Sequence, residues 1–113
     1  SHLLRLRQRY VEGNGADEAT AILLPLSITS LLPLLRGVQR LLNRPVLSHS
    51  EAVVKDVAEQ LKLDLQGLLD ILLFKHGQIS PGHHEMPRLF DRYLYTTTLL
   101  ARVVAQLSQP GQR

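Results

Sequence analysis

The 113 residues predict an all-α fold, a bundle of about five helices with a Pro-kinked central helix. Three observations carry this expectation. Leucine supplies 25 residues against 8 Val and 4 Ile, an excess of a straight-chain helix former over the β-branched residues that favour sheets. Apolar residues recur three and four positions apart through most of the chain, and breaks rich in Gly and Pro separate the periodic stretches. The length gives a single helical domain over 1–113, enough for one core without disulfides or metals.

The elements follow in order. Leu3, Leu6 and Tyr10 mark the end of a first helix, stopped by Gly13, Asn14 and Gly15. Asp17 is a natural N-cap for the next, which carries Ala21, Ile22, Leu23, Leu24, Leu26, Ile28, Leu31 and Leu32. Pro25 and Pro33 each delete a backbone donor and are expected to kink or divide it. Between Leu34 and Leu42 the pattern turns amphipathic, and Pro45 closes the helix. Ser48 and Glu51 have capping-box spacing ahead of Val53, Val54, Val57, Ala58 and Leu61. Asp64 caps a short helix with Leu65, Leu68, Leu69, Ile71, Leu72 and Leu73, ended by His76 and Gly77. After the Ser80, Pro81 and Gly82 loop, Pro87 suits a first helical turn. The last helix should bury Leu89, Phe90, Tyr93, Leu94, Leu100, Val103, Val104 and Leu107.

Composition removes several classes of function. With no Trp and 4% aromatics, there is too little material for an aromatic cage or a base-stacking platform. With no Cys, disulfides, thiol catalysis and cysteine-held metal are out, which fits a reducing, cytoplasmic location. The charge is +3 overall, but residues 51–75 carry −2 and the rest +5. Arg36, Arg40 and Arg44 repeat every four residues and should line one exposed helix face, where they would bind phosphate or an acidic partner. Ala19 to Leu35 is free of charge. Its Ser and Thr residues and its two prolines favour a core helix over a membrane span, so no membrane partner is expected. The chain opens without Met and inside a helical pattern, as a piece of a longer protein would, and shows no signal peptide.

Apolar spacing from Val53 to Leu73 matches a helix-turn-helix. Lys62 stands where the turn glycine is usual, and the outward positions Gln66, Gly67 and Asp70 offer one base-reading side chain in an acidic stretch. Nucleic acid is therefore a possible but not a favoured partner. His76, His83, His84 and Glu85 cluster around a loop, but the adjacent histidines diverge and no helical His pair exists, so no metal is expected. No glycine-flanked nucleophile and no phosphate-cradling loop occur, and no cofactor is expected. Arg44 and His49 have the Arg-x4-6-His spacing of the HEPN ribonuclease family, interrupted here by Pro45.

Four segments taken together carry a wider resemblance: Leu4-Arg5-Leu6-Arg7-Gln8-Arg9-Tyr10, the long apolar stretch with its prolines, Val57-Ala58-Glu59-Gln60-Leu61, and Phe90-Asp91-Arg92-Tyr93-Leu94. The pattern resembles the helical C-terminal region of predicted bacterial nucleotidyltransferases of the minimal or kanamycin-nucleotidyltransferase-like type. The catalytic unit of that family carries Gly-Ser on a turn and paired Asp residues. This sequence has neither, its nearest approach being Asp64-Leu65-Gln66. The resemblance therefore implies an accessory domain, non-catalytic alone, that positions the acceptor substrate or holds a dimer together. The over-apolar second helix leads to the same expectation of a homo-oligomer or an upstream catalytic domain as partner, with Ile22, Leu24, Ile28, Leu31 and Leu35 at the interface. The alternatives are a nucleic-acid-binding helix-turn-helix-like module and a HEPN-like ribonuclease.

Overall fold

The computed structural model describes the backbone of residues 15–107 and the side chains of residues 18–107. Four helices and no strand occur among the described residues: α1 (Gly15–Leu41), α2 (Ser50–Leu61), α3 (Gln66–Lys75) and α4 (Met86–Leu107). The chain is thus an all-α bundle of four described helices rather than about five. The expected helix end at 3–11 and the cap at Asp17 lie outside the described residues and side chains.

Pro25 and Pro33, where a kink or division is expected, both lie inside α1, which runs through them as one undivided helix of 27 residues. Magnitudes explain why it is not divided. Each proline costs about 3 kcal/mol inside a helix, whereas Leu24, Ile28, Leu35 and Val38, all buried, bracket both prolines and contribute about 1.5–3 kcal/mol each. Pro33 and Thr29 are exposed, so the Thr29 carbonyl that loses its donor to Pro33 lies where water can replace it.

Three successive helices end in the same way. The N–H of Arg44 bonds the Gln39 carbonyl at 2.9 Å and that of Asn43 bonds Arg40 at 3.1 Å, with Asn43 at φ 56°. The pattern returns with Leu63 on Ala58 and Lys62 on Glu59 around Lys62 at φ 56°, and with Gln78 on Leu73 and Gly77 on Phe74 around Gly77 at φ 73°. These are Schellman turns, which supply donors to the last carbonyls of a helix. Only Gly77 enters the left-handed region without steric cost. α1 therefore stops at Asn43, before Pro45 is reached.

Helix starts differ more from expectation. The capping box of Ser48 and Glu51 does not form, because the N-cap position falls on His49, one residue later, with no side-chain cap. The entry to α2 is instead held from outside, by the Arg36 guanidinium donating to the carbonyls of Leu47 and Ser48. At α3 the N-cap position falls on Leu65 with no side-chain cap, one residue after the expected Asp64, whose Oδ1 still accepts the Gln66 N–H at 2.9 Å. At α4, Glu85 Oε1 accepts the Gly82 N–H at 2.9 Å while the N–H groups of Glu85 and Met86 return to the Gly82 carbonyl.

The core joins Leu24, Ile28, Leu35 and Val38 of α1, Val53, Val54 and Val57 of α2, Leu65, Leu68, Ile71 and Leu72 at and on α3, and Tyr93 and Leu100 of α4. On α4, Leu89, Tyr93, Leu100, Val104 and Leu107 of the expected stripe join or pack on the core, and the departures are at three positions. Phe90 and Leu94 are exposed and Thr96 is buried, because Thr96 Oγ1 satisfies itself on the Arg92 carbonyl at 2.7 Å and can then pack beside Gly67.

Candidate functional site

The three arginines of the expected stripe do lie together, and each does something different. Arg36, Gln39, Arg40, Arg44, Pro45 and Val46 line a depression of about 100 Å³ at the C-terminal end of α1. Arg36 is turned onto the Leu47 and Ser48 carbonyls. Arg44 grips Asp56 on α2 with two nitrogens, Nη2 to Oδ1 at 2.9 Å and Nε to Oδ1 at 3.2 Å. The buried Gln39 side chain donates to Asp56 Oδ2 at 2.8 Å. These hydrogen bonds, from Arg44 first and Gln39 second, hold the Asp56 carboxyl below its ordinary range and raise the Arg44 guanidinium above its own. Arg40 is exposed and no bond or ion pair ties its side chain to another described residue.

The expected interface residues separate in the structure. Leu24, Ile28 and Leu35 are 2% exposed or less, inside the chain's own core, and Leu31 packs half-buried against them. Ile22 alone of the five is exposed. The apolar side chains left open on α1 are Ile22, Leu23, Leu26, Leu34 and Leu41, between 43% and 61% exposed. Leu23, Leu26, Ser30, Leu34, Gly37 and Leu41 follow one another by three or four positions, with Pro33 beside Leu34, so they share one helix face, and none of them is charged. Glu18–Leu41 is long and apolar enough to cross a membrane by length and composition, with a mean hydropathy of 1.7 in its most apolar stretch, of which 22% is buried. The expected core helix is therefore a core helix on its inner face only. Phe90 and Leu94 flank Tyr93 in sequence, and the Tyr93 hydroxyl meets Ser27 Oγ of α1 at 2.6 Å. Burial raises the Tyr93 phenol above its ordinary pKa, and the bond to Ser27 opposes that shift.

Other candidates are used structurally. Gly67 on α3 is buried against Thr96 and Arg92, Gln66 Nε2 bonds Asp70 at 2.9 Å, and Asp70 pairs with Arg92 at 3.0 Å. Every residue from Gly67 to Phe74 is buried or half-buried, and only Gln66 and Lys75 at the two ends of α3 are exposed, which leaves little of the helix open to enter a DNA groove. His76 Nδ1 lies 3.5 Å from Glu51 Oε1, His83 and His84 stack edge to face, and no group of metal-ligating side chains assembles among the described residues. The HEPN-like pair is split between Arg44, committed to Asp56, and His49, exposed at the start of α2.

Sequence reading missed two open clefts on either side of the Asp70–Arg92 pair. One, of about 430 Å³, is lined by Ile79, Ser80, Glu85 and Arg88, and the other, of about 480 Å³, by Asp64, Gln66, Tyr95 and Leu99. The one signal was Asp70, an acid within an otherwise apolar helix. No protein-family model, curated protein or solved structure matches the chain.

Proposed function

We propose that this chain is a helical accessory domain of a bacterial nucleotidyltransferase, non-catalytic by itself. On this reading it holds two copies together through the outer face of α1 and so helps to position the acceptor substrate. The uncharged, uncovered face of Leu23, Leu26, Leu34 and Leu41 carries the proposal, since contiguous apolar patches of this kind mark interaction surfaces on soluble proteins. The sequence pattern supports the nucleotidyltransferase setting.

Magnitudes favour a reversible dimer. About half of each of five α1 side chains remains to be covered on each of two copies, which contributes about 8–15 kcal/mol in all. Association costs about 4–15 kcal/mol in lost freedom. Gain and cost are of similar size, so the resulting affinity is modest and concentration-dependent.

The test incubates the purified chain with labelled ATP, GTP, CTP or UTP and candidate acceptors. No transfer is expected, and transfer to any acceptor contradicts the accessory role. Nucleic-acid binding is the competing reading. Filter binding at two salt concentrations separates them, because a nucleic-acid module loses affinity steeply with salt and an association domain has none to lose. A HEPN-like activity would appear as RNA cleavage abolished by His49→Ala.

A further inference from the structure

We infer that the depression lined by Arg36, Gln39, Arg40, Arg44, Pro45 and Val46 is an oxyanion site that takes one phosphate group. This inference stands on the geometry of the pocket and is independent of the association proposed above.

Charge comes first. Three guanidinium groups outnumber the two carboxylates near them, Asp56, which is bonded to Arg44, and Glu59, which acts on Arg44 through space, and this leaves the pocket positive. The end of a helix usually opposes an anion, because its free carbonyls carry partial negative charge. Here the Schellman turn returns the N–H groups of Asn43 and Arg44 to those carbonyls, so the guanidinium groups dominate the local field.

Order comes second. Arg36 is fixed on the Leu47 and Ser48 carbonyls, and Arg44 is fixed through Nε and Nη2 on Asp56. Five N–H donors on each guanidinium exceed what these partners use. Arg44 Nη1 bonds no described residue, and neither does any side-chain nitrogen of Arg40. Two of the three cations are therefore held before a ligand arrives, and only Arg40 has side-chain freedom to lose. Guanidinium geometry matches phosphate oxygens in paired hydrogen bonds.

Size sets the ligand. Pockets that enclose a drug-sized molecule hold about 300–1,000 Å³, and this one holds about 100 Å³. A single phosphate group fits that class, with whatever it is attached to lying outside. Val46, 92% exposed at the rim, offers an apolar surface to such an attachment.

The experiment follows the arginine Nε–H resonances of the full chain by NMR while sodium phosphate replaces chloride at constant ionic strength. A second arm uses ATP. Saturable shifts at Arg40 and Arg44 with inorganic phosphate, and competition of ATP for the same resonances, are expected. Arg40→Gln should weaken phosphate binding about tenfold, the loss of one charge-assisted contact. Arg102→Gln, which removes an equal charge from an exposed position on α4, should leave it unchanged. If only ATP binds, if Arg40→Gln binds phosphate as the wild type does, or if both variants weaken it equally, the proposed pocket is overturned.

Discussion

Gly67 on α3 lies so close to Thr96 on α4 that a β-carbon built on it would fall 2.4 Å from the Thr96 hydroxyl oxygen and 3.0 Å from the Arg92 carbonyl oxygen. The absence of a side chain at one position is thus what sets the spacing of two helices. Gly67→Ala gains about 1 kcal/mol of helix propensity, but it overpacks a contact whose threonine is already bonded to the Arg92 carbonyl. Overpacking costs about 1–3 kcal/mol. Urea unfolding should show a net loss of stability for Gly67→Ala, partly recovered in the double variant with Thr96→Ala. An unchanged or raised midpoint for the single variant would show that the helices part at no cost.

Asp56 ties α2 to the end of α1. Its carboxyl is held below the ordinary 3.8 by the Arg44 and Gln39 hydrogen bonds. A lowered folded-state value means that its stabilising contribution is fully present above the unfolded value and is lost as pH falls through the folded one. The stability difference between wild type and Asp56→Asn should therefore be constant near neutral pH and shrink in acid. Asp56→Ala also strands the buried Gln39 amide, at a cost of about 1–3 kcal/mol. Equal acid profiles for wild type and Asp56→Asn would contradict this.

Tyr93 gives the opposite dependence. Its phenol is raised above 10.0, by burial first, so its contribution is complete below 10.0 and is lost as pH rises through the higher folded value. Absorbance titration of the wild type should show a late-ionising phenol that belongs to Tyr93. Tyr93→Phe should remove that late step and cost about 1 kcal/mol through the lost bond to Ser27. A late step that persists in Tyr93→Phe would contradict the burial.

The sequence made the helical architecture legible because local periodicity carries it. Val53, Val54 and Val57 announce the buried side of α2, and Gly77 announces the end of α3. What local pattern could not supply were features that depend on a distant neighbour. Phe90 and Leu94 suit a core by type, but the phase of α4 is set by Thr96 against Gly67, and threonine reads as polar until its hydroxyl is seen on the Arg92 carbonyl. The Ser48 and Glu51 spacing suggested a cap, but the loop is fixed by Arg36 from another helix. The arginine stripe was legible as spacing, and its division into two anchored cations and one open one was not, because Asp56 is remote in sequence. Leu24, Ile28 and Leu35 resembled interface residues only because nothing local distinguishes the inner from the outer face of a helix apolar all round.

Self-association through the outer face of α1 is the central claim, and sedimentation equilibrium of wild type beside Leu26→Lys tests it most directly. Leu26 is 61% exposed, so the lysine faces solvent in the monomer and circular dichroism should show unchanged helicity, whereas Leu31→Lys would disturb the core as well. The expected result is a monomer–dimer equilibrium for wild type that Leu26→Lys shifts to monomer. Wild type that sediments as a monomer up to high micromolar concentration, or Leu26→Lys that dimerises as wild type does, would contradict the account.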